Sequence, residues 1–184
     1  MIRLDTDRLV LREQTTADAP FVLALVNDPD WLRHIGDRGV RTLEGAEAYI
    51  EAGAVAMVRR HGHGLLLVET RDGNVPVGLC GLLRRDGFAD VDVGFAFLPA
   101  YRGLGYAREA AEATLAFAWH TLGVERVAAI VSPANTASTG LLTRLGLVFD
   151  RETTLGAETL HVWTIHSASD HFPVPTSQSP PPKR

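Results

Sequence analysis

The sequence has little lysine and little cysteine: one of each, Lys183 and Cys80, in 184 residues. A single cysteine excludes an intrachain disulfide and gives no sign of an oxidising compartment. Arginines are scattered, with nothing longer than the pairs Arg59–Arg60 and Arg84–Arg85. At a net charge of −4 the chain lacks the basic face that non-specific nucleic-acid binding requires. No apolar run approaches the roughly 20 residues of a membrane-spanning helix. The start, "MIRLDTDRLVLRE", is too charged for the core of a secretory signal. These absences set the expectation of a cytoplasmic protein with neither nucleic acid nor membrane as partner. With its one lysine near the end, the chain also has no Gly-Lys-Ser/Thr phosphate loop.

What is present is a 46% hydrophobic composition, enough for one sizeable core. Residues 167–184 hold five of the ten prolines and almost no periodic hydrophobicity. They read as a flexible Pro/Ser-rich tail behind a single domain of residues 1–166. Within the domain, Leu9–Gln14 reads as a strand. Thr16–Asn27 and Thr42–Arg60 have helical spacing. Gly64–Arg71 and Pro76–Arg85 are apolar runs separated by the hairpin signal "DGN". Asp90–Leu98 alternates, with Val91, Val93, Phe95 and Phe97 on one face. A long helix over Gly103–Leu122, a strand over Arg126–Val131, a short helix over Asn135–Arg144 and strands near Leu147–Thr153 and Thr159–Ile165 follow. The order predicts a mixed sheet flanked by helices, an α+β or α/β arrangement.

The most informative stretch is "FLPAYRGLGYARE", Phe97 to Glu109, at the junction of a strand and a helix. Glycines there let the backbone approach a ligand, and the free amides of a helix start attract an anion. "GLGYAR" begins like a dinucleotide fingerprint, but Arg108 stands where the third glycine belongs, and Glu125 precedes the next strand instead of ending it. Glycines making only a tight turn are the plainer alternative. A pyrophosphate accounts for more: amides from Arg102 to Ala107 aimed inward, the helix dipole behind them, and Arg102 or Arg108 within reach of phosphate charge.

The same segment, "LPAYRGLGYA", resembles the Arg/Gln-x-x-Gly-x-Gly/Ala loop of the GNAT superfamily of N-acetyltransferases. "DTDRLVLRE", "DVGFAFLPAYRGLGYAREAAEATLAFA" and "SPANTASTGLLTRLGLVF" extend the likeness to the ribosomal-protein N-terminal acetyltransferase (RimJ/RimL-like) subgroup, over roughly Ile2 to Ile165. The resemblance implies a GNAT fold: a mostly antiparallel twisted sheet of about six to seven strands, with a splayed central pair, between helices. It implies acetyl-CoA as co-substrate, no metal, and direct attack of an amine on the thioester without an acyl-enzyme. The loop Arg102, Gly103, Leu104, Gly105, Tyr106, Ala107 and Arg108 would hold the pyrophosphate. The strand residues Phe95, Ala96, Phe97 and Leu98 would pair with the pantetheine arm, an amide near Phe97 or Leu98 polarising the thioester carbonyl.

Asn135 matches the family's asparagine beside that arm, with a helix N-cap as its plainer role. The tyrosine that many members place seven residues later is Leu142 here. The subgroup's serine matches Ser138, which could protonate the leaving sulfur or serve only as a local backbone partner. Asp92 lies where relatives often carry glutamate. It could take the amine's proton through a water or hold the ammonium electrostatically, or it could simply be solvated on the strand's polar face. Tyr101, Asp86 and Asp90 are weaker candidates. Trp31 and His34 fall where the subgroup lines its acceptor cleft. "HGHG", His61 to Gly64, reads as a loop in preference to a zinc site, Cys80 as packing, and Trp119 and Trp163 as core or surface packing. The expected acceptor is a primary amine, either a protein N-terminus or a small molecule, and the mild negative charge favours cationic ones. A non-catalytic acyl-CoA-binding protein and a transferase of larger acyl groups stand as alternatives. The subgroup also suggests a homodimer.

Overall fold

The structure, a computed structural model, describes residues 1–155 and 158–167. The expected tail, apart from Ser167, lies outside the described residues. Eight strands form one sheet: β1 (Arg3–Asp5), β2 (Leu9–Arg12), β3 (Leu65–Thr70), β4 (Pro76–Arg84), β5 (Val91–Phe97), β6 (Arg126–Val131), β7 (Val148–Leu155) and β8 (Glu158–His166). Six helices accompany them: α1 (Ala19–Val26), α2 (Pro29–His34), α3 (Leu43–Ile50), α4 (Ala56–His61), α5 (Tyr106–His120) and α6 (Thr136–Arg144). The strand order is β1-β2-β3-β4-β5-β6-β8-β7. All neighbours are antiparallel except β5 and β6, which the crossover through α5 makes parallel.

The architecture is the mixed α/β sheet expected, with eight strands where six to seven were anticipated. The addition is β1, three residues whose single buried side chain, Leu4, gives too short an alternation to read as a strand. The expected helix over 42–60 is continuous but changes pitch, with a π-helical stretch at Glu51–Val55 between α3 and α4. Helix α2 was not anticipated either, although Asp28 and Pro29 are a legible start. Asp28 accepts from the Asp30 amide at 3.2 Å, and Pro29 occupies the first turn.

The sheet is buried on both faces. On one, Leu66, Val68, Cys80, Leu82 and Val93 pack with Ala110, Ala111, Leu115 and Ala118 of α5. The small residues of α5 bring its axis close to the strands, and Val91, Val93, Phe95 and Phe97 all meet this cluster, as their alternation required. On the other face Leu67 and Leu79 pack under Val22, Val26, Ala46 and Ile50 of α1 and α3. The entry to α1 is fixed by Asp18. Its carboxylate accepts two bonds from Arg12, at 2.8 and 2.9 Å, and one from the Thr15 amide at 2.8 Å.

Burial opposes the charge on Asp18, but the Arg12 and Thr15 bonds outweigh it and hold its pKa below the ordinary carboxylate value. A depressed pKa gives stability that is full above the unfolded value and is lost as pH falls through the folded one. Asp18→Asn is therefore expected to lower Tm at pH 7 by about 4–8 °C, the equivalent of about 2 kcal/mol for charge-assisted bonds in a domain of this size. The gap to the parent should close as pH falls below about 3.9. A gap independent of pH, in melts from pH 7 to pH 3, would contradict this.

Candidate active site

The strands β5 and β6 pair only at Val91↔Val127 and Asp92↔Ala128. Beyond that point β5 stays with β4 as far as Gly78↔Phe97, and β6 stays with β8 as far as Val131↔His161. The sheet therefore opens into a wedge. Leu98 donates to the Val77 carbonyl at 3.1 Å, so by antiparallel alternation Leu98 and Ala96 address β4. The backbone groups of Phe95 and Phe97 address the gap instead. Leu98 is thus removed as a donor to a ligand carbonyl, leaving the Phe97 and Phe95 amides. The Phe97 carbonyl accepts from Arg102 Nε at 2.8 Å.

A turn of 3-10 helix, Pro99–Tyr101, ends β5 and leads to the glycine loop. Gly103 and Gly105 have φ of 74° and 84°, a region that side-chain-bearing residues rarely adopt, so the turn itself requires them. The first bond of α5 runs from the Glu109 amide to the Gly105 carbonyl at 3.1 Å. The amides of Tyr106, Ala107 and Arg108 at the helix start therefore have no partner among the described residues. Those of Gly103, Leu104 and Gly105 donate to no backbone carbonyl among the described residues. The Arg102 amide does not join them, because it donates to the Pro99 carbonyl at 3.2 Å. Its guanidinium is also engaged, with Asp28 at 2.6 Å and with Asp30. Arg108 pairs with Glu112. The loop offers backbone donors and helix dipole, while Arg102 ties it to the start of α2.

Arg8, which the sequence reading passed over, holds the loop from the other side. Its guanidinium meets Glu109 at 2.7 Å, donates to the Leu104 carbonyl at 3.0 Å and lies over the Tyr106 ring at 4.8 Å. Nothing in the segment "DTDRLVLRE" marks this arginine, because its partners are about a hundred residues away.

The wedge opens into a cleft of about 210 Å³. Gly94, Phe95 and Ala96 line it from β5, Val131 and Ser132 from the end of β6, and Asn135, Ser138 and Leu142 from α6. Trp31 and His34 line it from α2, Tyr49 from α3, Arg38 from the segment between those helices, and Arg85 from the residue after β4. Asn135 is the N-cap of α6, its Oδ1 accepting from the Ser138 amide at 3.1 Å, so the capping role is filled while both residues also face the cleft. Trp31 is 5% exposed and Leu142 1%. Cys80 is buried on the opposite face beside Thr114, its pKa pushed up to about 12 by desolvation, which makes it inert. His63 is buried against the Leu82 carbonyl, 3.3 Å from its Nδ1.

Asp92 is not the solvated surface residue that one reading of the strand allowed. It is 1% exposed, and Oδ2 accepts from Arg85 Nε at 2.8 Å. Its Oδ1 has no hydrogen-bond partner among the described residues. Burial raises its pKa above the usual carboxylate range, and the Arg85 charge only partly offsets this.

Residues 8–148 match the acetyltransferase (GNAT) domain family, and the chain belongs to it. It is 27% identical over 145 residues to an uncharacterized N-acetyltransferase of Bacillus subtilis, YoaA, spanning 78% of this chain and 81% of that one. An acetyltransferase from Agrobacterium tumefaciens superposes with a TM-score of 0.80 at 25% identity, covering 91% of this chain and 95% of that one. RimL, a ribosomal-protein alpha-N-acetyltransferase solved with coenzyme A, has the same fold. Its TM-score is 0.79 at 14% identity, over 92% of this chain and 100% of that one. The protein is an acetyltransferase of the GNAT fold.

Because the folded pKa of Asp92 is raised, its contribution to stability falls as pH rises from the unfolded value through the folded one. At pH 7 its ionisation opposes folding. Asp92→Asn is expected to leave Tm unchanged or raise it by about 2–4 °C, equivalent to about 1 kcal/mol. A fall of more than about 4 °C at pH 7 would show that the pairing with Arg85 outweighs the desolvation.

Proposed function

We propose that the protein transfers the acetyl group of acetyl-CoA directly to a primary amine. The observation that carries this reading is the free edge of β5 running into free amides at the start of α5. An extended arm with amide groups can add to such an edge as an extra strand. A pyrophosphate is matched by the amides from Gly103 to Arg108, placed at the positive end of a fifteen-residue helix. Bound there, acetyl-CoA supplies an activated acyl carbon on which the acceptor nitrogen forms its new bond as the carbon–sulfur bond breaks and the sulfur leaves with the electron pair.

The chain's own groups then have definite tasks. The Phe97 or Phe95 amide donates to the thioester oxygen as negative charge grows there. Asp92 lies buried behind the cleft lining and not in it; with its raised pKa and unpartnered Oδ1 it takes the proton released by the amine through a water. Ser138 donates a hydrogen bond to the departing thiolate, a part of the role left open by Leu142, and the thiolate takes its proton from solvent. Trp31 and His34 line the acceptor side, and the acceptor is a protein N-terminal amine or a small-molecule amine. The proton-accepting role separates this reading from that of a non-catalytic acyl-CoA-binding protein.

Thermal melts with acetyl-CoA, desulfo-CoA and NAD, combined with thiol release in the presence of amines, test the proposal. At about a hundredfold over Kd, either CoA ligand should stabilise by about 2.7 kcal/mol, and NAD should not. Asp92→Asn should lower kcat/KM by about 10²-fold or more, and Ser138→Ala by less than about 10-fold, since a thiol is a tolerable leaving group. No shift with either CoA ligand would withdraw the reading. A shift with full activity in both variants would withdraw only the residue roles.

A further inference from the structure

Resting on the amine-transfer reading above, we propose that the acceptor carries a carboxylate near its amine. The carboxylate is held by the guanidiniums of Arg38 and Arg85 and the phenol of Tyr49 at the acceptor end of the cleft. Among the described residues the cleft lining contains these two arginines and His34, but neither aspartate nor glutamate. A cleft that received polyamines or other cationic amines would need carboxylates at that end.

Both arginines have donors to spare. Among the described residues Arg38 makes only one bond, to the Ile35 carbonyl at 3.3 Å, and its neighbour Asp37 is taken by Arg41 at 2.6 Å. Arg85 gives Nε to Asp92, so its two terminal nitrogens have no protein partner among the described residues. Asp92 therefore fixes the direction of Arg85 without covering the outer fork of the guanidinium. That fork is the part that matches a carboxylate in two parallel bonds.

Tyr49 ties the two arginines to one place. Its hydroxyl makes no hydrogen bond to the protein among the described residues, yet its ring packs against the α1–α3 cluster. Arg38, Tyr49 and Arg85 all line this one cleft; burial raises the Tyr49 pKa, and the charges of the two arginines act against that rise. A phenol that stays protonated and two arginines make five or more donors, with the phenol oxygen the one acceptor among them. Such a site rejects a second ammonium by repulsion and leaves its own donors unpaired with a neutral amide. This runs against the preference for cationic acceptors suggested by the net charge, because the surplus of acidic residues lies elsewhere on the molecule.

An amine with a nearby carboxylate can be a free amino acid, or a peptide whose second residue is acidic. The test measures thiol release by the full chain with matched acceptors: amino acids against their carboxamides, and peptides with glutamate against peptides with glutamine at the second position. The carboxylate member of at least one series is expected to have a kcat/KM at least about 10-fold higher, and the series that shows this names the source. Arg38→Gln should narrow the ratio to within about threefold, and Arg38→Lys should restore part of it. Amide or polyamine acceptors used as well as the carboxylates, or no carboxylate-bearing amine acetylated, would overturn the proposal. A Tm rise with coenzyme A in those same samples would leave the cofactor reading standing. Its absence would remove both.

Discussion

The site depends on one event in the sheet, the parting of β5 from β6 after the Asp92↔Ala128 pair. Backbone amides and carbonyls are obligatory hydrogen-bonding groups, and a buried edge that leaves them unpaired is unfavourable unless water or a ligand meets them. Most neighbouring strands in this fold remain paired along their length. Here the two halves of the sheet each keep their own partner, β4 for β5 and β8 for β6, and the gap between them is where the chain invites another molecule. The parallel sense of this one pair has the same origin. A crossover helix is needed to return the chain, and the start of that helix delivers the glycine loop to the mouth of the gap.

Two arginines hold the mouth in shape through long-range ion pairs. Arg8 clasps the loop from the β1–β2 turn through Glu109 and the Leu104 carbonyl. Arg102 clasps the start of α2 through Asp28 and Asp30 while its Nε reaches the end of β5. The second link joins the glycine loop to α2, which carries Trp31 and His34. Arg102, one of two arginines that the sequence offers for phosphate charge, acts here as a brace, so under the proposed reading the anion falls to the backbone and the helix dipole.

Much of this was legible before any coordinates. The alternation of Val91, Val93, Phe95 and Phe97 fixed the faces of β5, and the two glycines marked a turn that only positive φ could make. Local chemistry at "NDPD" could have given α2 as well. What was not legible was long-range. Burial of Asp92 depends on β4 and β6 lying on either side, and nothing within "DVGF" distinguishes a buried aspartate from a solvated one. The convergence of Arg38, Tyr49 and Arg85 joins three segments with no common motif. The amide of Leu98 looked as available as that of Phe97 until the register with Val77 assigned it to β4. Sequence carries periodicity and turn chemistry well, and it carries partners across the sheet poorly.

The most direct test of the account is amide hydrogen exchange, residue by residue, with and without coenzyme A. Protection that appears together at Phe95, Phe97 and Gly103 to Arg108, with the already bonded amides of Leu98 and Arg102 little changed, is the predicted result. Binding that leaves the β5 edge and the glycine loop unprotected would contradict it, and would move the ligand to another part of the surface.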